Sequence, residues 1–408
     1  MIAAGTWLRA TSLAGAVATA LAVATGEWAL PHNVAALVAL SLLAAAFVAA
    51  LVGHRERRGL VLATGIALAA FAVEVALGGL VALSGDAGWA RLLHVGFAGA
   101  SLAASATAAA VTLRRGSLVA GGTWRDYVTL TKPRIMTLLL LTAAGGVFVG
   151  AGGVPSLALL ATTLGGLALA CGGASALNHY LDRDIDGYMR RTDRRPVATG
   201  RVAPARALEF GLALSAFSFV VLASFVNVAA ALLAIFGNLF YVLVYTRWLK
   251  RTTPQNIVIG GAAGAVPPVV GWAAATGNVG LPAILLFLIV FFWTPPHFWA
   301  LALLIRRDYE AANIPMLPVV KGEAQTGRAI VRYSLVLVAV TVLPFALGTL
   351  GALYLAAALA LGAAFLALAV AVARAATPAR ARRLFSFSLA YLALLFVAMG
   401  VDPIVLGA

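Results

Sequence analysis

The chain is built from apolar runs about twenty residues long, and this most constrains its fold. A helix needs about 20 consecutive apolar residues to cross the hydrocarbon core of a bilayer, since each residue advances ~1.5 Å. On that rule the sequence holds about thirteen such runs. Four come first, near 8–25, 32–52, 60–83 and 91–112. A polar stretch follows near 113–132. Nine more lie near 133–152, 157–178, 207–225, 228–246, 256–275, 282–304, 331–350, 352–373 and 384–403, with the close pairs around 226 and 351 the hardest to divide. Of 408 residues, 62% are hydrophobic and 11% charged, against ~25% charged in a soluble domain. That excludes a cytosolic enzyme, a secreted disulfide scaffold and a disordered chain. The single cysteine, Cys171, lies in an apolar run, so there is no internal disulfide and no cysteine cluster for a metal.

Charge then orders the loops. Lysine plus arginine is 29 and aspartate plus glutamate 14, a net +15. In a soluble domain this balance would point to nucleic acid. Here the charges sit in short loops between apolar runs, which points to membrane orientation and an anionic ligand, with no nucleic-acid partner. The basic loops carry Arg55, Arg57 and Arg58; Arg114 and Arg115; seven arginines over 179–206; Arg247, Lys250 and Arg251; Arg306, Arg307 and Lys321; and Arg374, Arg380, Arg382 and Arg383. The loops between them, near 150–156, 226–227, 276–281 and 350–351, carry no charge. The positive-inside rule puts the basic loops in the cytoplasm, the N-terminus inside and the C-terminus outside. Residues 1–25 keep two readings: a retained helix, or a signal peptide with Arg9 before an apolar run ending in small residues.

The chemistry concentrates in the 179–206 loop. Asn178, Asp182 and Asp186 are spaced four apart. If the preceding helix continued past the membrane surface, all three would line one face. Two stacked carboxylates repel unless a cation lies between them, and oxygen ligands with room for phosphate oxygens suit Mg²⁺. The neighbouring arginines suit an anion held on that metal. Together they describe a diphosphate site at the membrane surface. The alternative is a solvated, charge-rich loop that only fixes orientation. Arg201 and Arg206 fit that topogenic role.

This ladder, with its arginine tail from Met189 to Pro196, resembles the first aspartate motif of the UbiA-type intramembrane prenyltransferases. Within them the chain most resembles the protohaem farnesyltransferase family. The carrying stretches are Asn178 to Pro196; Tyr245-Thr246 and Leu249-Lys250-Arg251 with Thr253, Asn256 and Ile257, on to Gly271-Trp272; Trp293-Thr294-Pro295-Pro296-His297-Phe298-Trp299; and Asp308-Tyr309 with Ala312 and Ile314 to Val319. Leu130-Thr131-Lys132-Pro133-Arg134 fits the start of the first helix, and the likeness covers about 125–403. One departure is that the second Asp-x-x-x-Asp motif is reduced: Ala312 stands four residues after Asp308.

The resemblance implies an all-α, nine-helix prenyltransferase bundle over 133–408, after a cytoplasmic linker over 116–132. It implies Mg²⁺-dependent transfer of a farnesyl group from farnesyl diphosphate to protohaem, with water, giving haem O and diphosphate at the cytoplasmic face of the cell membrane. Asn178, Asp182, Asp186 and Asp308 would hold the metal. Lys132, Arg134, Arg191, Arg195, Lys250 and Arg251 would neutralise the diphosphate, with Tyr245 and Asn256 as hydrogen-bonding partners. Pro295-Pro296 would break or kink the sixth span of the nine. His297 would then contact haem iron or a propionate, or bond a freed carbonyl. Two other functions stay open: a UbiA-type enzyme for another acceptor, such as a quinone precursor, and a transporter of a cation or phosphate compound.

Residues 1–115 form a separate four-helix transmembrane bundle in this reading. Within it, 31–115 resembles half of haem A synthase, carried by His32, Gly78-Gly79, Leu92-Leu93-His94 and Arg114-Arg115. The resemblance implies haem ligation by His32 and His94, which fall at similar depth. The alternative is a structural or partner-docking bundle, with a haem A synthase as a candidate partner. Glu74, at bilayer depth, should face the bundle interior.

Overall fold

The computed structural model describes residues 11–19, 58–83 and 122–406, with scattered positions between 36 and 50 and between 94 and 108. Over 122–406 the elements are α2 (Trp124–Thr131), α3 (Pro133–Ala151), α4 (Leu157–Leu181), α5 (Pro204–Phe225), α6 (Val228–Thr252), α7 (Asn256–Thr276) and α8 (Leu281–Leu304). Then come α9 (Arg306–Ala311), α10 (Leu317–Val320), α11 (Gly322–Ala346), α12 (Ala352–Arg374) and α13 (Pro378–Leu406). Before them lies α1 (Arg58–Leu83), the third of the first four runs. Each of the nine later runs is one helix long and apolar enough to span a bilayer, so the protein is a multi-pass membrane protein. The runs near 8–25, 32–52 and 91–112 fall mostly outside the described residues, as does the 116–121 part of the linker.

Local signals place the ends. Prolines open α3, α5 and α8, where a missing N–H costs nothing. Glycines in left-handed geometry close α3 (Gly152, φ 63°) and α7 (Gly277, φ 75°). The two doubtful divisions are made by side chains. Asn227 caps α6, its Oδ1 accepting from the Ala230 amide at 2.8 Å. Asp402, buried on α13, reaches across to accept from the Gly351 and Tyr354 amides at 2.5 and 2.9 Å, and so starts α12. The span read near 331–350 begins earlier, at Gly322, because its charged first turns are helical although they are not apolar. Pro295 and Pro296 do not break α8: it runs unbroken from Leu281 to Leu304.

α7 and α8 are the central spans. Their apolar windows are 67% and 61% buried inside the protein, against 28–44% for the other spans. α7 lies hard against α3, since a Cβ at Gly146 or Gly271 would overlap a backbone carbonyl of the other helix. One cluster joins α8, α11, α12 and α13 through Ile289, Trp293, Leu337, Tyr354, Phe365 and Tyr391. A second joins α3 to α7 through Ala143, Leu167, Leu222, Ala234 and Val270.

α2 is amphipathic and lies across the end of the bundle that carries the 182–203 loop. Leu130 and Tyr127 pack under Val197, Val202 and Phe210. Asp126 closes a capping box with Thr123 and accepts from the Arg201 guanidinium at 2.9 Å. Arg201, read as topogenic, thus tethers α2 to the loop. The Thr123 backbone N–H, then Arg201, hold the Asp126 carboxyl at about 2, below its ordinary 3.8. A depressed carboxyl adds stability that is complete above its ordinary value and lost as pH falls through the folded one. Asp126→Asn should therefore lower the thermal midpoint at pH 6, and this deficit should shrink as the pH falls from 3.8 toward about 2; a deficit at the acid end as large as that at pH 6 would contradict the tether.

Candidate active site

α4 ends at Leu181, and Asp182 is its C-terminal cap. The helix does not run on past the surface as the spacing suggested: Asp186 opens a separate 3₁₀ turn, Asp186–Tyr188. The register survives because the Asp182 N–H bonds the Asn178 carbonyl at 2.9 Å and the Asp186 N–H bonds the Asp182 carbonyl at 2.9 Å. Thr192 fixes the turn by donating to the Asp186 carbonyl at 2.9 Å. The three rungs are 3%, 0% and 1% exposed, so the ladder itself is buried although the arginine-rich loop after it is largely exposed.

Buried carboxylates are costly unless paired. Each rung meets a base from a different segment. Lys132 Nζ donates to Asn178 Oδ1 at 2.7 Å. Lys250 Nζ donates to Asp182 Oδ2 at 2.6 Å. Arg195 donates to both Asp186 oxygens at 2.8 and 2.9 Å. Asn178 Nδ2 donates to Asp182 Oδ2 at 2.7 Å and to Thr246 Oγ1 at 3.2 Å. Arg251 lies 3.6 Å from Asp182 Oδ1 but grips Asp184 with two bonds of 2.6 and 2.7 Å. The Arg251 hydrogen bond holds the Asp184 carboxyl below its usual range. Burial pushes the Asp186 carboxyl up, with Arg195 opposing. Burial, reinforced by Arg195, also pulls the Lys132 ammonium well below the lysine range, and a bound anion would reverse that.

Backbone geometry aims these groups. Lys132 sits between α2 and α3 at φ 52°, ψ 60°. This left-handed conformation costs a non-glycine residue about 1–2 kcal/mol and carries the chain from the surface helix into the span. On α6, residues Phe240–Leu249 form a wide π-helix, a form frequent at functional sites. It brings Tyr241 and Tyr245 together as stacked rings 5.5 Å apart, with Thr246 and Lys250 beyond them. Tyr245 lies where a Cβ on Gly260 would be, so α7 needs glycine there. Tyr309 of α9 completes the rim: burial raises its phenol, while the charges of Arg191 and Arg195 act against this.

Three buried side chains here hold polar atoms without a hydrogen-bond partner in the protein: Asp182 Oδ1, both amide atoms of Asn256 and both ring nitrogens of His179. Buried polar groups ordinarily find partners, so these are positions for a ligand or water. Sequence reasoning missed Thr246, Tyr241, Tyr309 and His179. Tyr241 had a signal, since it precedes Tyr245 by one helical turn. Thr246, Tyr309 and His179 fall within the stretches that carry the family resemblance, but their roles rest on contacts that cross between elements.

Other expected residues stand apart. Arg134 is exposed, and among the described residues neither it nor the half-buried Asp308 forms an ion pair. Among the described residues no three His, Cys, Asp or Glu side chains converge on one point. His297 bonds neither a freed carbonyl nor a ladder residue: its Nδ1 is 2.6 Å from Ser388 Oγ, and its ring stacks on Trp293 at 4.3 Å and Phe385 at 4.8 Å. In the N-terminal region, Glu74 is 3% exposed, and its backbone carbonyl lies 3.1 Å from His94 Nδ1. His32 lies outside the described residues.

Residues 139–395 match the UbiA prenyltransferase family. The chain belongs to that family. It is therefore a prenyltransferase. It is 56% identical over 285 residues to a protohaem IX farnesyltransferase of Gloeobacter violaceus, covering 69% of this chain and 93% of that protein. One from Roseiflexus castenholzii is 44% identical, covering 93% of this chain and 76% of its own length, so the likeness reaches into the first four runs. One from Roseiflexus sp. is 53% identical over 69% of this chain, and the chain spans about half (53%) of its length. Among solved structures, a UbiA homologue from Aeropyrum pernix superposes with a TM-score of 0.55 at 22% identity, covering 66% of this chain and 98% of that one, which shows the shared fold.

Removing one partner of a buried ion pair strands the other and typically costs about 3–5 kcal/mol. Asp182→Ala should destabilise the protein by about that much, and adding Lys250→Met should restore part of the loss. Denaturant unfolding in detergent measures both; strict additivity would show that the two do not interact.

Proposed function

We propose that the chain transfers the farnesyl group of farnesyl diphosphate to a vinyl group of protohaem (haem b), with addition of water, giving haem O and diphosphate. The observation that carries this is the cup of Asn178, Asp182 and Asp186, ringed by Lys132, Arg195 and Lys250 from three separate segments. The names of relatives that match most of their length supply the acceptor. A transporter would need repeats meeting at the bilayer midplane, and this cup lies at the bundle end.

The donors fit Mg²⁺. They are hard oxygens, and Asp182 Oδ1 lacks a hydrogen bond in the protein. Asp182, Asp186 and Asn178 would hold the ion, with Asp308 supplying a further ligand from α9. When bound, it stabilises the charge that gathers on the departing diphosphate. Lys132, Arg195 and Lys250 would turn from their carboxyl or amide partners onto diphosphate oxygens, with Arg191, Arg251 and Arg134 around the entrance. Tyr245 and the Asn256 amide would donate to the same oxygens. The prenyl tail would lie among the helices. The allylic C–O bond breaks and its electron pair leaves with diphosphate. The haem vinyl group forms the new C–C bond, and water captures the resulting cation and loses a proton. His297, held between Trp293 and Phe385, would contact haem iron or a propionate.

By the positive-inside rule this face would lie in the cytoplasm of a cell-membrane protein. In the same reading, 1–115 is a transmembrane bundle and 116–132 a cytoplasmic linker before the prenyltransferase domain, 133–408. His32 and His94 would ligate haem in that bundle. The placement of His94 Nδ1 against the Glu74 carbonyl supports this, as such a bond orients a metal-ligating imidazole. The other reading is docking of a partner such as haem A synthase.

Purified protein given farnesyl diphosphate, haem and Mg²⁺ should release diphosphate and form haem O, and chelation should stop both. Lys132→Met should lower kcat by about 10²–10³-fold, the usual cost of one preorganised donor. Diphosphate release that ignores chelation and Asp186→Asn would eliminate the reading, whereas a phenolic ring accepted in place of haem would move it to the quinone-type alternative. For the N-terminal bundle, the Soret band of the haem-loaded full chain should change in His32→Ala/His94→Ala; an unaltered spectrum leaves only docking.

A further inference from the structure

A groove of about 490 Å³ lies between α11 and α12, lined by Arg328, Val331, Arg332, Val370, Ala373 and Arg374. None of these residues belongs to the aspartate cup. Gly327 sets its shape. A Cβ there would lie 2.9 Å from the Ala373 Cα, so the two helices touch at this level, and the groove opens beside that contact. Arg328 and Arg374 are the chain neighbours of the two residues in that contact, and Arg332 lies one turn, ~6 Å, further along α11.

All three arginines are exposed, and among the described residues none has an ion-pair or hydrogen-bond partner. The nearby Glu323 faces Arg306 instead, at 3.7 Å. Arg380 adds further positive charge by donating to the last carbonyls of α12, those of Ala371 and Ala375, at 3.2 and 3.4 Å. The walls, by contrast, are apolar: Val331, Val370 and Ala373. Arg332 stands inside an apolar span, where a guanidinium is costly unless it snorkels or meets a counter-charge. A ligand that satisfies both halves carries a phosphate at the rim and a hydrocarbon chain along the walls.

We infer that this groove binds an acidic phospholipid, the phosphate held by Arg328, Arg332 and Arg374 and one acyl chain lying along Val331 and Val370. Basic pockets between spans at this membrane face recognise such headgroups. The assignment is independent of the prenyl-transfer reading, since it uses none of the cup.

The test is native mass spectrometry of the full chain titrated with phosphatidylglycerol, phosphatidylcholine or inorganic phosphate. Phosphatidylglycerol should fill one saturable site that phosphatidylcholine does not. Arg328→Gln/Arg332→Gln/Arg374→Gln should weaken it about a hundredfold, each arginine near an anionic headgroup contributing comparably. Val370→Trp, which fills the groove and keeps the charge, should weaken it too. A comparator that removes equal charge elsewhere, Arg247→Gln/Arg382→Gln/Arg383→Gln, should bind as wild type does. Gel filtration checks that each variant is folded. Equal binding of the two lipids, unaltered binding in Val370→Trp, or an equal loss in the comparator would each overturn the site. So would competition by inorganic phosphate as strong as that of the lipid, because the apolar walls would then play no part.

Discussion

Two carboxylates buried at the end of a membrane bundle must be neutralised, and the architecture around them follows from that need. Asp182 and Asp186 are held at 0% and 1% exposure, where an unpaired charge would be prohibitive. The protein answers with Lys250 from the end of α6, Arg195 from the loop and Lys132 from the α2–α3 junction, the last reaching Asn178. None of these segments adjoins another in sequence. The surface helix, the wide turns of α6 and the folded loop are thus all drawn to one point. The bases hold the acids, and they also create an excess of positive charge facing whatever anion enters.

This arrangement suits the chemistry of the family. Leaving-group departure from an allylic diphosphate concentrates negative charge on oxygens, and groups fixed in advance around that position need little reorganisation. The strained backbone at Lys132 and the π-helix on α6 fit such preorganisation, since both depart from low-energy geometry next to the cup. The orphan atoms of Asp182, Asn256 and His179 mark where the protein's own hydrogen-bonding is incomplete. The groove between α11 and α12 follows another logic: there three exposed arginines border apolar walls.

Much of this was legible in the chain. The nine runs from 133 onward became nine helices because the bilayer's thickness sets a length that a sequence window detects directly. The Asn-Asp-Asp spacing identified the ladder because i→i+4 backbone bonds persist through Asp182 and Asp186 even where the helix ends. The reach of α4 was misjudged, since helix termination depends on caps and loop packing. The proline pair in α8 is expected to break or kink the helix, which instead runs unbroken where it packs against α11, α12 and α13. His297, read as a haem contact or a partner for a freed carbonyl, sits in a ring stack closed by Phe385 from another helix.

The sequence by itself determined the class of molecule, the number of later crossings and the loops on which charge collects. These follow from composition and periodicity, which act locally along the chain. Only the tertiary structure decided which base meets which acid: Arg251 went to Asp184, Lys250 to Asp182, Arg195 to Asp186 and Lys132 to Asn178, while Arg134 and Asp308 formed no ion pair among the described residues. Pairing depends on distances between segments far apart in sequence, and helix packing alone fixes those distances.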